Sequence, residues 1–345
     1  MNKYIIIFLV CLAPQFAIAQ IGGSRSFAFV QEPVGASTFA VGGQNISLRN
    51  LDNNQFWQNP ASLDTGFNQF ASYNYNPYFA DIRNHSLSYN HSIEKIGNFG
   101  IGINYWSYGK MIETNEFGTE IGEFSSNDYV INVGYARRFE NFSYGMNMKF
   151  AHSNIQSFNA SALLFDLGGQ FIHPNKDLVF GMVFSNMGFP LDNFSESSKF
   201  QTPFDLKLGL SFKPQHMPMR LSATFHKLYR YDIVYDNPNA VTGFDENGDP
   251  IFDDPNDFDK ISRHVVLATE LLLAKGFNIQ LGYNFLKRAE LQIEDRKGTV
   301  GFSFGAKLKI KTVQVAFARS IDHISGGTNK INLIVDLNMF TKNRI

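Results

Sequence analysis

Phe142-Ser143-Tyr144-Gly145-Met146-Asn147-Met148-Lys149-Phe150-Ala151 places an aromatic or sulfur-bearing apolar side chain at every second position. Between them stand Ser, Gly, Asn, Lys and Ala. Successive side chains of a strand point to opposite faces, so this stretch predicts a strand with one oily face and one small or polar face. The pattern recurs at Phe204-Asp205-Leu206-Lys207-Leu208-Gly209-Leu210-Ser211-Phe212-Lys213, where Lys207 and Lys213 at alternate positions exclude a helix stripe. It returns at Phe99-Ile101-Ile103-Tyr105, Leu178-Phe180-Met182-Phe184, Phe277-Ile279-Leu281-Tyr283-Phe285 and Val313-Val315-Phe317.

Followed along the chain, the alternation predicts fourteen strands, most of about ten residues. They are expected at 69–76, 84–93, 99–107, 128–138, 142–152, 160–172, 178–186, 204–213, 219–229, 263–273, 276–286, 298–310, 312–321 and 330–340. Ten residues at about 3.3 Å each, tilted near 40°, cover roughly 25 Å, the apolar band of an outer membrane. Short links such as Lys95-Ile96-Gly97-Asn98, Lys275-Gly276 and Lys311 alternate with links that include long ones after Ser107, Asn186 and Tyr229. That rhythm predicts an all-β transmembrane antiparallel barrel of about fourteen strands, with short periplasmic turns and long loops at the cell surface. A soluble β-sandwich or propeller also alternates, but requires neither this loop rhythm nor Phe, Met and Tyr on every strand. An even strand count places both termini in the periplasm. Phe340, at the end of the last alternating run, resembles the closing aromatic of barrel insertion signals, although it is out of phase with the apolar face.

The first nineteen residues read as a signal peptide: Lys3, an apolar run from Tyr4 to Pro14, and Ala17-Ile18-Ala19 before Gln20. Cys11, the single cysteine of the sequence, lies inside that leader, so the mature chain has no thiol chemistry. Without Lys3 the remainder carries 29 basic and 31 acidic residues, about −2 net, and gives no reason to expect nucleic acid. No apolar run after the leader is long enough for a membrane-spanning helix, so a closed barrel is the remaining way to cross a bilayer. Residues 20–68 differ from the barrel at 69–340 and the tail at 341–345. Gly42-Gly43, Asp52, Asn53, Asn54 and Asn59-Pro60 interrupt any long element, yet Phe27, Phe29, Phe39, Phe56 and Trp57 disfavour disorder. Such a segment either fills the lumen or hangs in the periplasm; a plug in the lumen is expected, with Asn59 capping a short helix that begins at Pro60.

Motifs with chemical potential have bland explanations. Gly301-Phe302-Ser303-Phe304-Gly305 spells a nucleophile elbow but falls within an alternating strand. Asp245, Asn247 and Asp249 have calcium-loop spacing, but Pro250 replaces the required Gly, and Glu246-Asn247-Gly248-Asp249 reads better as a hairpin turn. His85, His91 and His264 fall in strands, at girdle or lumen positions. The chain is read as a non-enzyme, with no catalytic, metal or cofactor residue assigned and no cofactor expected.

Gly22-Gly23, Phe27, Phe29, Ala40-Val41-Gly42-Gly43, Ile46-Ser47, Asp52 and Asn59-Pro60-Ala61 together resemble the start of the PorV/PorQ barrels of the Bacteroidetes type IX secretion system. Gly22-Gly23 and the compact length are nearer to the PorQ branch. The resemblance implies a non-enzymatic member of the cell-surface attachment complex. Such a barrel holds a PorZ-like partner at the outer leaflet near PorU and PorV, where cargo is released and joined to lipopolysaccharide. Tyr231, Tyr235, Phe244, Phe252 and Phe258, in the long acidic link after strand 9, are the expected partner-binding residues. The related FadL-type barrels share the architecture and the Asn-Pro-Ala motif, so the alternative is a channel for small hydrophobic compounds, with a continuous apolar passage past the plug. An outer-membrane hydrolase would instead need a Ser–His pair near the outer rim.

Overall fold

The computed structural model describes residues 26–194, 200–234, 241–244, 250–252, 256–292, 298–323 and 326–341. Among these, fourteen antiparallel strands form one closed barrel in which each strand pairs with its chain neighbours. They are β1 (Phe70–Pro77), β2 (Arg83–Ile93), β3 (Gly97–Thr114), β4 (Glu120–Phe139), β5 (Phe142–Ile155), β6 (Phe158–Ile172) and β7 (Asp177–Asp192). The second half comprises β8 (Asp205–Lys213), β9 (Met219–Phe225), β10 (Val265–Ala274), β11 (Phe277–Asn284), β12 (Phe302–Ile310), β13 (Val313–His323) and β14 (Gly326–Asp336). β1 closes the cylinder by pairing with both β2 and β14: Phe70 faces Asn90 on one side and Asp336 on the other. Closure leaves no sheet edge, which a lipid environment requires because it offers no partner to a free N–H or C=O.

The side-chain distribution is inverted relative to a soluble protein. Met148, near the middle of β5, is 46% exposed, whereas Lys149 beside it is 2% exposed. Ile101, Phe180, Leu208, Leu281, Phe304 and Leu333 are likewise exposed on the outer wall, while Asn132, Asn147, Lys207, Gln280 and Asn332 are buried inside. Apolar faces turned outward and polar faces turned inward are the period-two pattern of a membrane barrel.

At the rim shared with the C-terminal end of β14, every link is short: 94–96, 140–141, 173–176, 214–218, 275–276 and 311–312. In two of the three two-residue turns the first residue, Glu140 or Lys311, takes a positive φ (50° and 54°), which suits a tight hairpin with right-handed twist. The opposite rim carries the long links 193–204, 226–264 and 285–301.

Four expectations need correction. The link after Ser107 is not a loop of some twenty residues: β3 and β4 continue past it as a ladder, Lys110 facing Ser125, and turn only at 115–119. β11 stops at Asn284, whose side chain accepts a bond from Lys287 N (3.0 Å) and starts a helix at Phe285–Leu291. His264 precedes β10 instead of lying in it. Phe340 belongs to a short helix, Asn338–Thr341, because Asp336 accepts from Asn338 N (3.0 Å) and ends the strand. The described residues begin and end at opposite rims: Ser26 N donates to Gln201 O in a long link, whereas Leu337 N donates to Gln69 O at the short-turn rim. Strand parity governs where strands start and stop, and it places no limit on a segment that runs up the lumen.

Replacing Met148 with Arg puts a charge into hydrocarbon and is expected to destabilise the barrel by about 2–4 kcal/mol. Denaturant unfolding in lipid vesicles measures this, and an unchanged midpoint would show that Met148 does not face lipid.

Candidate functional site

The site is the lumen. Residues 26–68 occupy it from one rim to the other as short turns of helix: Ala28–Gln31, Ala36–Ala40, Gln55–Trp57, Pro60–Ser62 and Thr65–Phe67. Asn59 caps the turn at Pro60 as expected, accepting from Ala61 N (3.0 Å). Backbone this irregular cannot satisfy its own polar groups, and buried N–H and C=O groups need partners. The inward faces of the strands supply them. Asn147 donates to Phe56 O (2.8 Å), Ser143 to Ala61 O (2.7 Å), Gln170 to Ile46 O (2.9 Å), Ser211 to Ser47 O (3.1 Å) and Asn284 to Gly42 O (3.0 Å). Lys307 Nζ reaches Leu51 O (2.5 Å), and Lys330 reaches Pro33 O. Gly282 permits the close approach of plug to wall, since a Cβ there would overlap the backbone of Val41 and Gly42.

Ser303, the serine of the apparent nucleophile elbow, is one of these anchors. Its hydroxyl donates to Ala40 O and accepts from Gly42 N, both at 2.9 Å, while Phe302 and Phe304 point outward. A Ser–His pair does exist near the long-loop rim, His152 Nδ1 to Ser161 Oγ at 2.9 Å. It lies across β5 and β6 on the outer wall, with the imidazole packed on Tyr129 and Phe150. Among the described residues no carboxylate hydrogen-bonds to that imidazole. His85 and His91 face outward in the same manner, against Tyr73 (2.8 Å) and Tyr89 (3.2 Å).

Several charges inside the lumen are paired with each other. Lys149 Nζ and Asp166 Oδ2 meet at 2.6 Å, both almost wholly buried. Asn147 Nδ2 (2.9 Å) and Asn186 N (2.8 Å) complete the carboxylate, and Asn186 Oδ1 accepts from Lys149 (2.9 Å). Arg220 pairs with Glu270 (3.0 Å) and Lys287 with Asp322 (2.9 Å). The alternation identifies Lys149 as inward but not its partner. Register does: Asn147 faces Asp166 across β5 and β6, which places Lys149 on the diagonal.

An apolar cluster runs along one side of the lumen, interleaved on the same strands with the inward Asn132, Asn147, Lys149 and Asp166. Phe27, Val34, Phe56, Trp57 and Leu63 of the plug pack on Val130, Ala136, Ala151, Ala160, Ala162 and Leu164 of β4 to β6. Phe29, Phe194 and Phe200 extend this column at the long-loop rim.

Two of the sequence-predicted partner residues, Tyr231 and Phe258, are described in the link 226–264 and are exposed. Phe258 is 78% exposed on the helix Asp257–Ser262, and exposed Tyr231 donates to Asp257 Oδ1 (3.0 Å), a bond that pushes the phenol pKa up. Phe244 and Phe252 fall in the two arms of a hairpin, Val241–Phe244 and Pro250–Phe252. Tyr235, the turn 246–249 and the calcium-spaced Asp245, Asn247 and Asp249 lie outside the described residues. Among the described residues no cluster of His, Cys, Asp or Glu could hold a metal.

Replacing Asp166 with Leu strands the Lys149 ammonium in the lumen, with an expected cost of about 3–5 kcal/mol. The double variant Lys149→Met, Asp166→Leu should recover most of that. Thermal unfolding in detergent checks both, and an equal loss in the single and double variants would contradict the pairing.

No protein-family model matches the chain, and no curated protein matches it. Among solved structures, the chain is similar to the Pseudomonas putida toluene transporter TodX. The TM-score is 0.51 at 14% identity, over 88% of this chain and 97% of that one. A Pseudomonas aeruginosa FadL homologue gives 0.46 at 10% identity (88% and 98% covered), and the Acinetobacter baumannii outer membrane protein Omp33 gives 0.38 at 9% (78% and 98% covered). At such identities the likeness speaks to fold. This chain is a closed, fourteen-stranded antiparallel β-barrel whose lumen holds residues 26–68, and it shares its barrel fold with TodX.

Proposed function

We propose that this barrel is a FadL-type channel that admits small hydrophobic compounds, here with its plug seated. The observation that carries the reading is the apolar column from Phe194 and Phe200 at the long-loop rim, past Phe27, Val34, Phe56 and Trp57, to Leu63 near the short-turn rim. A lumen that served only to hold a plug needs no such column, and the smaller apolar clusters around Phe39 and around Leu48 and Leu51 are separate from it. Plug side chains packed on small alanines offer a hydrophobic solute a series of apolar contacts along this side once the plug side chains yield. The shared fold of TodX, a toluene transporter, supports the same reading. No bond-breaking step is part of it.

A second reading is favoured by a different observation. The plug fills the lumen and is bonded on all sides, and an open passage was the expectation for a channel. The link 226–264 meanwhile presents exposed Tyr231, Phe258 and Ile261. On this reading the barrel anchors a PorZ-like partner in a type IX attachment complex near PorU and PorV, with the long loops at the cell surface and the short turns in the periplasm.

One pair of measurements separates the two. Uptake of a labelled monoaromatic hydrocarbon by cells should fall several-fold when the barrel is deleted, and also when Ala162→Trp blocks the column. Normal uptake in both would sink the channel. Co-purification of secretion-complex proteins that is lost on removal of residues 231–260 would establish the anchor, and recovery unchanged by that deletion would refute the loop's role.

A further inference from the structure

At the long-loop rim a pocket of about 230 Å³ opens between the start of the plug and the turn joining β1 to β2. Its walls are Phe29 and Glu32 of the plug, Tyr78 and Ile82 of the turn, and Trp106 and Tyr108 of β3. The space equals roughly eight waters. Trp106 and Tyr108 stand two residues apart and share the inward face of β3, so these rings do not belong to the lipid-facing girdle that Tyr105 joins. The ring of Tyr78 meets that of Trp106 edge-on, with centroids 6.0 Å apart at 81°.

The polar groups of the pocket are biased toward accepting. Tyr108 commits its proton to Asp128 Oδ2 (2.5 Å), which leaves the phenol oxygen as an acceptor. Glu32 is exposed and adds a carboxylate. Tyr78 stays protonated to high pH, its phenol pushed up to about 12 by burial and then by the charges of Glu32 and Asp322. The indole N–H of Trp106, on a side chain 5% exposed, has no partner and is a donor still to be satisfied. Of the neighbouring cations, Lys330 is held at Pro33 O and over the Phe39 ring, and Lys287 is paired with Asp322.

Aromatic faces attract cations through the ring quadrupole, most strongly where water is displaced, and four aromatic walls beside a carboxylate form such a cage. We propose that this pocket binds a small organic ammonium ion, with its nitrogen against Trp106 and Tyr78 and in the field of Glu32. This inference is independent of both functions above. The ammonium could belong to a free amine or to the headgroup of an adjacent lipid.

The test uses the full barrel carrying Trp57→Phe, so that Trp106 is the remaining tryptophan. In non-ionic detergent it is titrated with choline and with 3,3-dimethylbutanol, the neutral isostere. A saturable change in tryptophan emission is expected with choline, at least about tenfold weaker with the alcohol. Glu32→Gln, at an exposed position, should weaken choline severalfold and leave the alcohol unchanged. Repetition in bilayers of phosphatidylethanolamine and of phosphatidylglycerol identifies the source: competition in the first alone assigns a headgroup, and equal binding in both assigns a free amine. Choline and alcohol titrating alike, or no saturation with a barrel that retains its folded gel mobility, would overturn the proposal.

Discussion

A peptide group in hydrocarbon has no partner but another peptide group, and this requirement organises the molecule. Helices meet it within themselves, whereas strands meet it only when the last pairs with the first. Here β1 makes that closure, its residues held between β2 and β14 from Phe70 onward. Once the wall is closed, its period-two alternation assigns the rest: Phe, Met and Leu to the lipid, Asn, Ser and Lys to the inside.

A polar interior of this size creates a second requirement, because buried donors and acceptors must also be paired. The plug answers it, and the irregularity of its backbone is an advantage. Turns such as those at Gly42 and Pro60 leave carbonyls unspent, and Asn284, Ser143 and Asn147 spend their hydrogens on them. Ser303 illustrates how far this logic overrides motif. In a strand-to-helix turn it would be a nucleophile, and in an inward strand position it is a clamp on Ala40 and Gly42. The apolar column beside β4 to β6 departs from the scheme, and for that reason carries the functional reading.

Much of the architecture was legible in the residues. The strand phases, the alternating turn lengths and the capped turn at Asn59-Pro60 all follow from local rules. Strand ends were less legible, for identifiable reasons. Tyr283 to Phe285 continues the alternation, yet Asn284 can cap a helix as readily as it can face a lumen, and only the surrounding barrel selects the cap. Ile112 and Ile121 do not follow the oily alternation of the membrane band, although pairing beyond the bilayer continues wherever two backbones are already in register. The exposure of Tyr231 and Phe258 matches their place in a long polar link. The cage at Trp106 was not legible, since its walls come from residues 29, 78 and 106 on three separate elements.

Alone, then, the sequence determined a membrane barrel of fourteen strands, with each side chain assigned to lipid or lumen, because alternation is a property of neighbouring residues. It did not determine that Lys149 would meet Asp166, that the plug would run from rim to rim with Ser26 among the long loops, or that an apolar column would line one wall. Those depend on register between strands and on which inward residues converge across the lumen. Both arise only when the cylinder closes and brings distant segments within bonding distance.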